Sequence, residues 1–295
     1  MPRYTRAQVR RRQLVAAALA VVLLLVVGGC TAAVIGALRG GGDGAAGAPA
    51  RIPFAADDAA MAVTATPSEA PIRSQLPAGI ELAADETMGI DVSAHQQDVD
   101  WTLVAADGVS FAYLKATEGV GHTDSRFREN WDGAVAAGIT PGAYHYFTLC
   151  SPGADQAADF LAAAPPDDTA LPPALDLEFD GACEELPDVV AVQAEIDAFT
   201  AAVEEAWGRR LVIYSSSDWR THYGLPVTDS RPDWLFAERD RPQQEDWAVW
   251  QFRFDGRVAG IEGAVDVDVA RIELLREHAT IPDGEGALGH EVAAG

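Results

Sequence analysis

The sequence predicts an α/β fold, an irregular TIM-like β/α barrel of about eight strands preceded by an N-terminal membrane helix and a flexible linker. Strand-like apolar runs alternate with helix-like runs after residue 84, which is typical of a parallel sheet. The connections between the last strands are too short for full crossover helices, so we expect irregularity there. Acidic and aromatic residues gather where the strand-like runs end, as at a barrel mouth. An open doubly wound sheet remains the alternative.

The predicted strands are short apolar runs bounded by polar or turn residues. In chain order they cover residues 88–93, 111–117, 140–147, 173–179, 211–216, 234–237, 248–252 and 264–269. Helices are predicted in the gaps at 125–137, 154–164 and 189–207. The apolar residues of the last helix recur at helical spacing, which predicts a face packed against the sheet.

The N-terminal part has the pattern of a membrane anchor. Residues 1–13 are rich in arginine, and residues 14–38 are uncharged and apolar over more than the roughly 20 residues that a membrane-spanning helix needs. The basic segment is expected to stay in the cytoplasm, which predicts a single-pass protein of the bacterial cell membrane with the rest of the chain outside. The alternative is lipoprotein processing at Cys30.

The remaining chain divides into a linker, one domain and a tail. Residues 39–84 are rich in Gly, Ala and Pro and predict a disordered linker. Residues 85–279 form the predicted barrel domain, and residues 280–295 a disordered tail. The net charge of -24 argues against a nucleic-acid partner, since such a partner requires a concentrated basic face.

Two acids stand inside one apolar strand. In the run 173–179, Leu175, Leu177 and Phe179 alternate with polar positions, so Asp176 and Glu178 share a face. Buried carboxylates are costly unless they are paired or used. Glycoside hydrolysis typically requires two carboxyl groups in one site.

The other strand ends carry acids, aromatic rings and amides, which together suit a sugar ligand. For a single acid such as Asp91, a helix cap is an equally plain explanation. The residues at these ends are Asp91, Ser93, Lys115, Glu118, Tyr144, His145, Tyr146, Asp176, Glu178, Ser215, Gln251, Asp266 and Asp268.

Six motifs, in order across residues 88–275, resemble those of glycoside hydrolase family 25, the lysozymes that cleave peptidoglycan glycan strands. They are Gly-Ile-Asp-Val-Ser at 89–93 with Asp-Trp at 100–101, Phe-Ala-Tyr-Leu-Lys-Ala-Thr-Glu-Gly at 111–119, Gly-Ala-Tyr-His-Tyr-Phe at 142–147, Ala-Leu-Asp-Leu-Glu at 174–178, Trp-Gln-Phe at 250–252 and Gly-Ala-Val-Asp at 263–266. The resemblance implies an irregular β/α barrel, muramidase activity and no metal or organic cofactor.

The resemblance also implies residue roles. Glu178 matches the proton donor of the family, and the other catalytic acids are Asp176, Asp91 and Asp266. The expected substrate-binding residues are Lys115, Tyr144, Tyr146, Trp250 and Gln251. His145 is open to two interpretations, a sugar ligand or a hydrogen-bonded core residue. The residues 94–97 depart from the family pattern, which predicts a different shape for the first loop.

Cys150 and Cys183 follow neighbouring predicted strands, so both are expected in loops on the catalytic face. Outside the membrane a disulfide between them is permitted, and closing that loop is expected to stabilise the fold by about 3 to 4 kcal/mol. Peptide mapping without reductant tests this pairing.

Three functions are compatible with these patterns. The first is a peptidoglycan muramidase that cleaves the β-1,4 bond between N-acetylmuramic acid and N-acetylglucosamine by carboxylate catalysis. The second is a peptidoglycan-binding module that has lost turnover, and the third an endo-glycosidase acting on a chitin-like polymer. No zinc-ligand spacing, phosphate-binding loop or serine nucleophile elbow occurs in the sequence.

Overall fold

A closed ring of strands forms the centre of the domain. The computed structural model describes residues 71–179, 186–224, 231–243 and 247–281. Its strands are β1 (Glu86–Val92), β2 (Phe111–Glu118), β3 (His122–Thr123), β4 (Thr140–Tyr146), β5 (Ala174–Leu177), β6 (Val212–Ser215), β7 (Asp233–Phe236), β8 (Trp247–Gly256) and β9 (Val265–Arg271).

The strand order closes the sheet into a barrel. The strands follow one another as β1-β9-β8-β7-β6-β5-β4-β2-β3, and an additional pairing of β1 with β2 joins the two sides. The short β3 extends only β2, so the remaining eight strands form the ring. This closure confirms the predicted barrel and excludes the open doubly wound sheet, in which the first and last strands of the order stay unpaired.

The irregularity lies in β9, which runs antiparallel to both of its neighbours, β8 and β1. All other ring strands pair in parallel. The acids of the last strand were expected at its carboxyl end, and this was wrong for Asp266. It lies near the beginning of β9, directly opposite Asp91 of β1. Because β9 is reversed, its beginning meets the carboxyl ends of the other strands.

The three predicted helices are confirmed as α2 (Phe127–Ala136), α3 (Gly153–Ala163) and α4 (Val189–Trp207). Asp188 caps the start of α4 through its side chain, and Gly208 ends it in the left-handed conformation that glycine adopts without strain. Three shorter helices were not predicted, because one or two turns show little periodicity: α1 (Trp101–Ala106), α5 (Ser217–Tyr223) and α6 (Ile272–Ala279).

Two apolar clusters divide the core. The larger one packs the outer face of the strands, with residues such as Ile90 and Leu114, against residues of the helices, such as Phe199. The smaller one contains Phe111 and Tyr113 and fills the barrel interior beneath the mouth. Alternation along each strand sends successive side chains to these two clusters in turn.

The last part of the predicted linker packs against the domain. Ile72 is fully buried in the larger cluster, in a 3-10 turn at Pro71–Gln75. The side chain of Gln75 donates a hydrogen bond to the carbonyl of Arg257 at 2.6 Å and accepts one from its amide at 2.9 Å. The packed region therefore begins at least as early as residue 71, although the sequence predicted a boundary at 84/85.

Several predictions concern residues outside the described ranges. They include the basic segment 1–13, the membrane helix 14–38, most of the linker, the tail beyond residue 281 and Cys183. The membrane helix and the pairing of Cys150 with Cys183 therefore stay predictions. In the part of the chain that the structure describes, every helix is too short or too polar to cross a bilayer.

A glycine makes room for a large ring in the barrel interior. A Cβ added at Gly89 would lie 2.3 Å from the ring of Phe111, its direct neighbour on β2. We expect Gly89→Ala to lower the free energy of unfolding by about 1 to 3 kcal/mol, because the barrel interior becomes overpacked. Urea denaturation measures this change.

The matched background for this experiment is Phe111→Leu, which removes the ring. In that background the additional Gly89→Ala substitution should cost clearly less than in the wild type, because the two substitutions share one contact. An equal cost in both backgrounds contradicts the assignment of the strain to Phe111.

Candidate active site

A cavity of about 290 Å³ opens at the carboxyl ends of the parallel strands. The interior cluster forms its floor through Ala174, Tyr214 and Trp234. Eight of the nine residues predicted for catalysis or substrate binding line it, with Trp250 the exception. The full lining is Asp91, Ser93, His95, Lys115, Tyr144, Tyr146, Ala174, Leu175, Asp176, Glu178, Tyr214, Trp234, Gln251, Phe254 and Asp266.

Asp91 and Asp266 face each other across the β1–β9 pair. Burial, followed by the charges of Asp268 and Asp176, raises the pKa of Asp91 well above its ordinary value. Burial and the neighbouring Asp91 raise the pKa of Asp266 to about 9. Gln251 donates a hydrogen bond from Nε2 to Oδ2 of Asp91 at 2.9 Å, which opposes this rise for Asp91. The pair therefore retains a proton at neutral pH.

Asp268 lies fully buried next to this pair, and the sequence assigned it no role. Trp234 donates a hydrogen bond from Nε1 to Oδ1 of Asp268 at 3.1 Å. Burial and the charge of Asp266 raise the pKa of Asp268 well above its ordinary value. Asp266 and Asp268 flank Val267 in the same way as Asp176 and Glu178 flank Leu177. This pattern was the sequence feature that could have identified Asp268.

Asp176 and Glu178 come from β5 and the residue that follows its end, and both face the cavity. Burial, followed by the charge of Glu178, raises the pKa of Asp176 well above its ordinary value. Lys115 opposes this effect through its positive charge. Oδ1 of Asp176 is buried without a hydrogen-bond partner among the described residues, which adds to the cost of ionising this group.

Lys115 is the cation of the site. Its ammonium group is 2.5 Å from Glu118 and 4.7 Å from the centroid of the Tyr146 ring. The Tyr146 ring and Glu118 thus hold the lysine charge at the cavity wall, close enough to influence Asp176.

Two tyrosines, Tyr144 and Tyr214, line the cavity together with the acids. Burial, followed by the charge of Asp91, raises the pKa of Tyr144 well above its ordinary value. Burial, followed by the charge of Glu178, also raises the pKa of Tyr214, which the sequence analysis did not select. Both phenols therefore stay protonated and can donate a hydrogen bond to a ligand oxygen.

Two aromatic candidates belong to the core instead. Trp250 is fully buried, donates its indole N–H to the carbonyl of Ala237 at 2.7 Å and faces the outer cluster, because its neighbour Gln251 takes the inward position. The expected sugar contact of Trp250 is therefore absent from this cavity. His145 is also fully buried, and it stacks on Phe199 with ring centroids 4.7 Å apart. Burial lowers the pKa of His145 to about 4.

The loop that departs from the family pattern has its own hydrogen bonds. Ser93 caps a 3-10 turn at Ala94–Gln96, and the side-chain oxygen of Gln96 accepts a hydrogen bond from the amide of Ser93 at 2.9 Å. Asp124 accepts the amide of Ala94 at 2.8 Å. This arrangement brings His95 to the cavity, a position that the sequence did not predict.

Within the described ranges, the His, Cys, Asp and Glu residues form no group of three or more suited to hold a metal ion. The side chains that line the cavity offer carboxyl groups, phenols, a carboxamide, a hydroxyl group, an imidazole and one ammonium group.

Several known proteins resemble this chain in sequence. It is 33% identical over 192 residues to Lysozyme M1 of Streptomyces globisporus, which covers 60% of this chain and 65% of that protein. It is 32% identical over 148 residues to the N,O-diacetylmuramidase of Arthroderma benhamiae, covering 48% of this chain and 63% of that protein. The chain thus spans slightly less than two thirds of either relative.

Solved structures share the fold. A bacterial lysozyme from Streptomyces coelicolor superposes with a TM-score of 0.57 at 31% identity, covering 65% of this chain and 98% of that one. A family 25 glycosyl hydrolase from Bacillus anthracis gives a TM-score of 0.57 at 28% identity, covering 65% of this chain and 91% of that one. The family model for glycosyl hydrolases family 25 matches residues 90–261, which include every residue that lines the cavity except Asp266. The chain belongs to glycosyl hydrolases family 25.

Proposed function

We propose that the chain is a peptidoglycan muramidase, which hydrolyses the β-1,4 bond between N-acetylmuramic acid and N-acetylglucosamine. The observation that carries this proposal is the convergence of Asp91, Asp176, Glu178 and Asp266 on one cavity at the barrel mouth. The relatives that are named lysozymes and muramidases support the choice of substrate.

Glu178 acts as the general acid in this proposal. It donates its proton to the glycosidic oxygen while the bond from that oxygen to the anomeric carbon breaks. A water molecule supplies the hydroxyl group that the anomeric carbon receives, and the remaining proton of that water passes to a carboxylate of the site, so that the carboxyl groups regain the proton that Glu178 gave up. Asp176 lies beside it and stabilises the positive charge that develops at the anomeric carbon. Support comes from the closeness of the two carboxyl groups, since burial and then the charge of Glu178 raise the pKa of Asp176.

Asp91 and Asp266 orient the substrate from the opposite wall. Because the pair retains a proton, it can donate one hydrogen bond and accept others, which suits the hydroxyl and acetamido groups of an amino sugar. Gln251 holds Asp91 in place through its amide. Lys115, Tyr144 and Tyr146 complete the wall with donors and ring surface.

The first test is Glu178→Gln assayed on purified peptidoglycan. We expect the release of reducing ends to fall by about 100-fold or more, because the amide has no proton to donate to the leaving oxygen. Glu129→Gln, a substitution of an exposed acid on α2, is the matched control and should retain wild-type activity.

The same assay separates the alternatives. No release by the wild type, together with retained binding to peptidoglycan, points to a binding module without turnover. Cleavage of chitin oligomers without release of muropeptides points to a chitin-type glycosidase. Equal activity of wild type and Glu178→Gln contradicts the role of Glu178.

The buried acids also predict how stability depends on pH. A carboxyl group whose pKa is raised by folding keeps a proton that the unfolded chain releases. Its favourable contribution to the free energy of unfolding is complete below about pH 4, and this contribution is lost as the pH rises through the pKa of the folded state. For Asp266 that pKa is about 9, and those of Asp91 and Asp268 are shifted in the same direction. The free energy of unfolding should therefore decline between pH 5 and pH 9.

Asp268→Asn should make this decline shallower by up to about 1.4 kcal/mol per pH unit, since one titrating group is removed. The amide oxygen of asparagine can still accept the hydrogen bond of Trp234. Urea denaturation at several pH values measures the slope, and Asp132→Asn, at an exposed position of α2, is the control. If the free energy of unfolding changes with pH at the same slope in the wild type and in Asp268→Asn, Asp268 is not the titrating group assigned here.

The proposed enzyme is tethered to the outer face of the cytoplasmic membrane by residues 14–38, with the arginine-rich residues 1–13 inside. Support comes from the length of the apolar segment and from its basic flank. In cell fractionation, the full chain and its Cys30→Ala variant should both remain with membranes after a high-salt wash. Release of Cys30→Ala alone indicates a lipid anchor at Cys30, and release of both contradicts the tether.

A further inference from the structure

Two phenylalanine rings stand exposed beside the acidic cavity. Phe236 ends β7 and is 39% exposed, and Phe254 lies near the end of β8 and is 52% exposed. Their rings are stacked, with centroids 4.1 Å apart and an angle of 26° between the planes. Contiguous apolar surface that stays in solvent next to a cavity is typical of binding sites rather than of packing.

The backbone of β8 is irregular where it presents Phe254. Gln251 faces the cavity and Phe252 faces the outer cluster, so regular alternation would send residue 254 outward with Phe252. The pairing of β8 with β9 shifts register between Gln251 and Arg253 and again between Arg253 and Gly256. Such bulges change the direction of side chains next to active sites. Here the result is that Phe254 lines the acidic cavity.

Gly256 is needed for this local shape. A Cβ at that position would lie 2.2 Å from a methyl group of Val267 and 2.9 Å from the carbonyl oxygen of Val265. The β8 strand therefore approaches β9 closely just after Phe254. The ring is held at the cavity edge by backbone geometry, although the side chain itself is half exposed.

Two further cavities lie next to the two phenylalanine rings. Phe254 lines both that cavity and a neighbouring one of about 630 Å³, whose other polar residues include Glu238, Arg239 and Asp255. Phe236 lines a third cavity of about 620 Å³ on the side of β6 and β7. Each of the two rings thus lines a cavity next to the acidic one, and Phe254 lines the acidic cavity as well.

We propose that Phe254, supported by Phe236, is a stacking platform for an N-acetylhexosamine ring of the glycan strand, one or more sugars beyond the bond that is cleaved. This inference rests on the proposed function. One face of a pyranose ring is a surface of C–H groups that packs on an aromatic ring, while its hydroxyl and acetamido edges require polar partners. Glu238, Arg239 and Asp255 lie beside the rings and can provide them.

A sugar suits this surface better than a protein partner does. Two rings cover far less than the roughly 800 Å² per partner that a stable protein interface buries. Phe254 also lines the cleavage cavity directly, so a polymer that is bound there for cleavage has this ring within reach of its neighbouring sugars. The platform therefore sets a preference for longer glycan strands.

The test compares Phe254→Ala and Phe254→Tyr on peptide-free glycan strands of increasing length. For long strands, we expect Phe254→Ala to lower kcat/KM by about five- to tenfold and Phe254→Tyr to keep it near the wild type, since stacking needs a ring. For the shortest strands that the wild type cleaves, all three proteins should be similar. Val135→Ala, an exposed apolar residue of α2 far from the mouth, is the matched control.

The outcomes separate this inference from the function on which it rests. An inactive wild type overturns the proposed function. An active wild type with Phe254→Ala unaffected at every length overturns the platform alone, and so does a loss that is equal for short and long strands. The same comparison on strands that still carry their stem peptides provides the last outcome: a loss confined to those strands assigns the rings to the peptide and also overturns the proposal.

Discussion

The reversal of β9 is the constraint on which the rest of the site depends. A barrel of parallel strands only would place the beginning of its last strand at the opposite end from the active-site mouth. Because β9 runs against β8 and β1, Asp266 instead lies opposite Asp91 at the mouth. Asp268 follows two residues later on the same face, and the next inward layer is apolar. The strand pairings that close the barrel are thus the same ones that bring these acids together.

Concentrating acids in this place opposes folding, and the surroundings reduce the cost. Gln251 donates to Asp91, Trp234 donates to Asp268, and Lys115 contributes a positive charge near Asp176. These contacts are fewer than ionised carboxylates require, and a buried oxygen of Asp176 and one of Asp268 have no hydrogen-bond partner in the described structure. The group compensates by keeping protons, which is also what acid catalysis on a glycosidic bond requires.

Some aromatic residues line the cavity and others pack in the core, and the amino-acid composition does not distinguish the two groups. Tyr144 and Tyr214 point inward and meet the acids, whereas Trp250 and His145 point outward into the layer beneath the helices. Neighbouring residues on one strand thus have opposite roles because a strand presents its side chains alternately. Phe254 is the exception, since bulges in β8 break that alternation at the mouth.

The sequence by itself determined the barrel, its long helices and most of the residues at its mouth. These features depend on local periodicity and on strand ends, which are written into short segments such as 111–117 and 189–207. Only the tertiary structure decided the direction of β9, the place of Asp268 beside Asp91, the burial of Trp250 and the exposure of Phe254. Each of these depends on which strands pair and in which register, and pairing between distant segments is set by the closed barrel rather than by any residue's immediate neighbours in the chain.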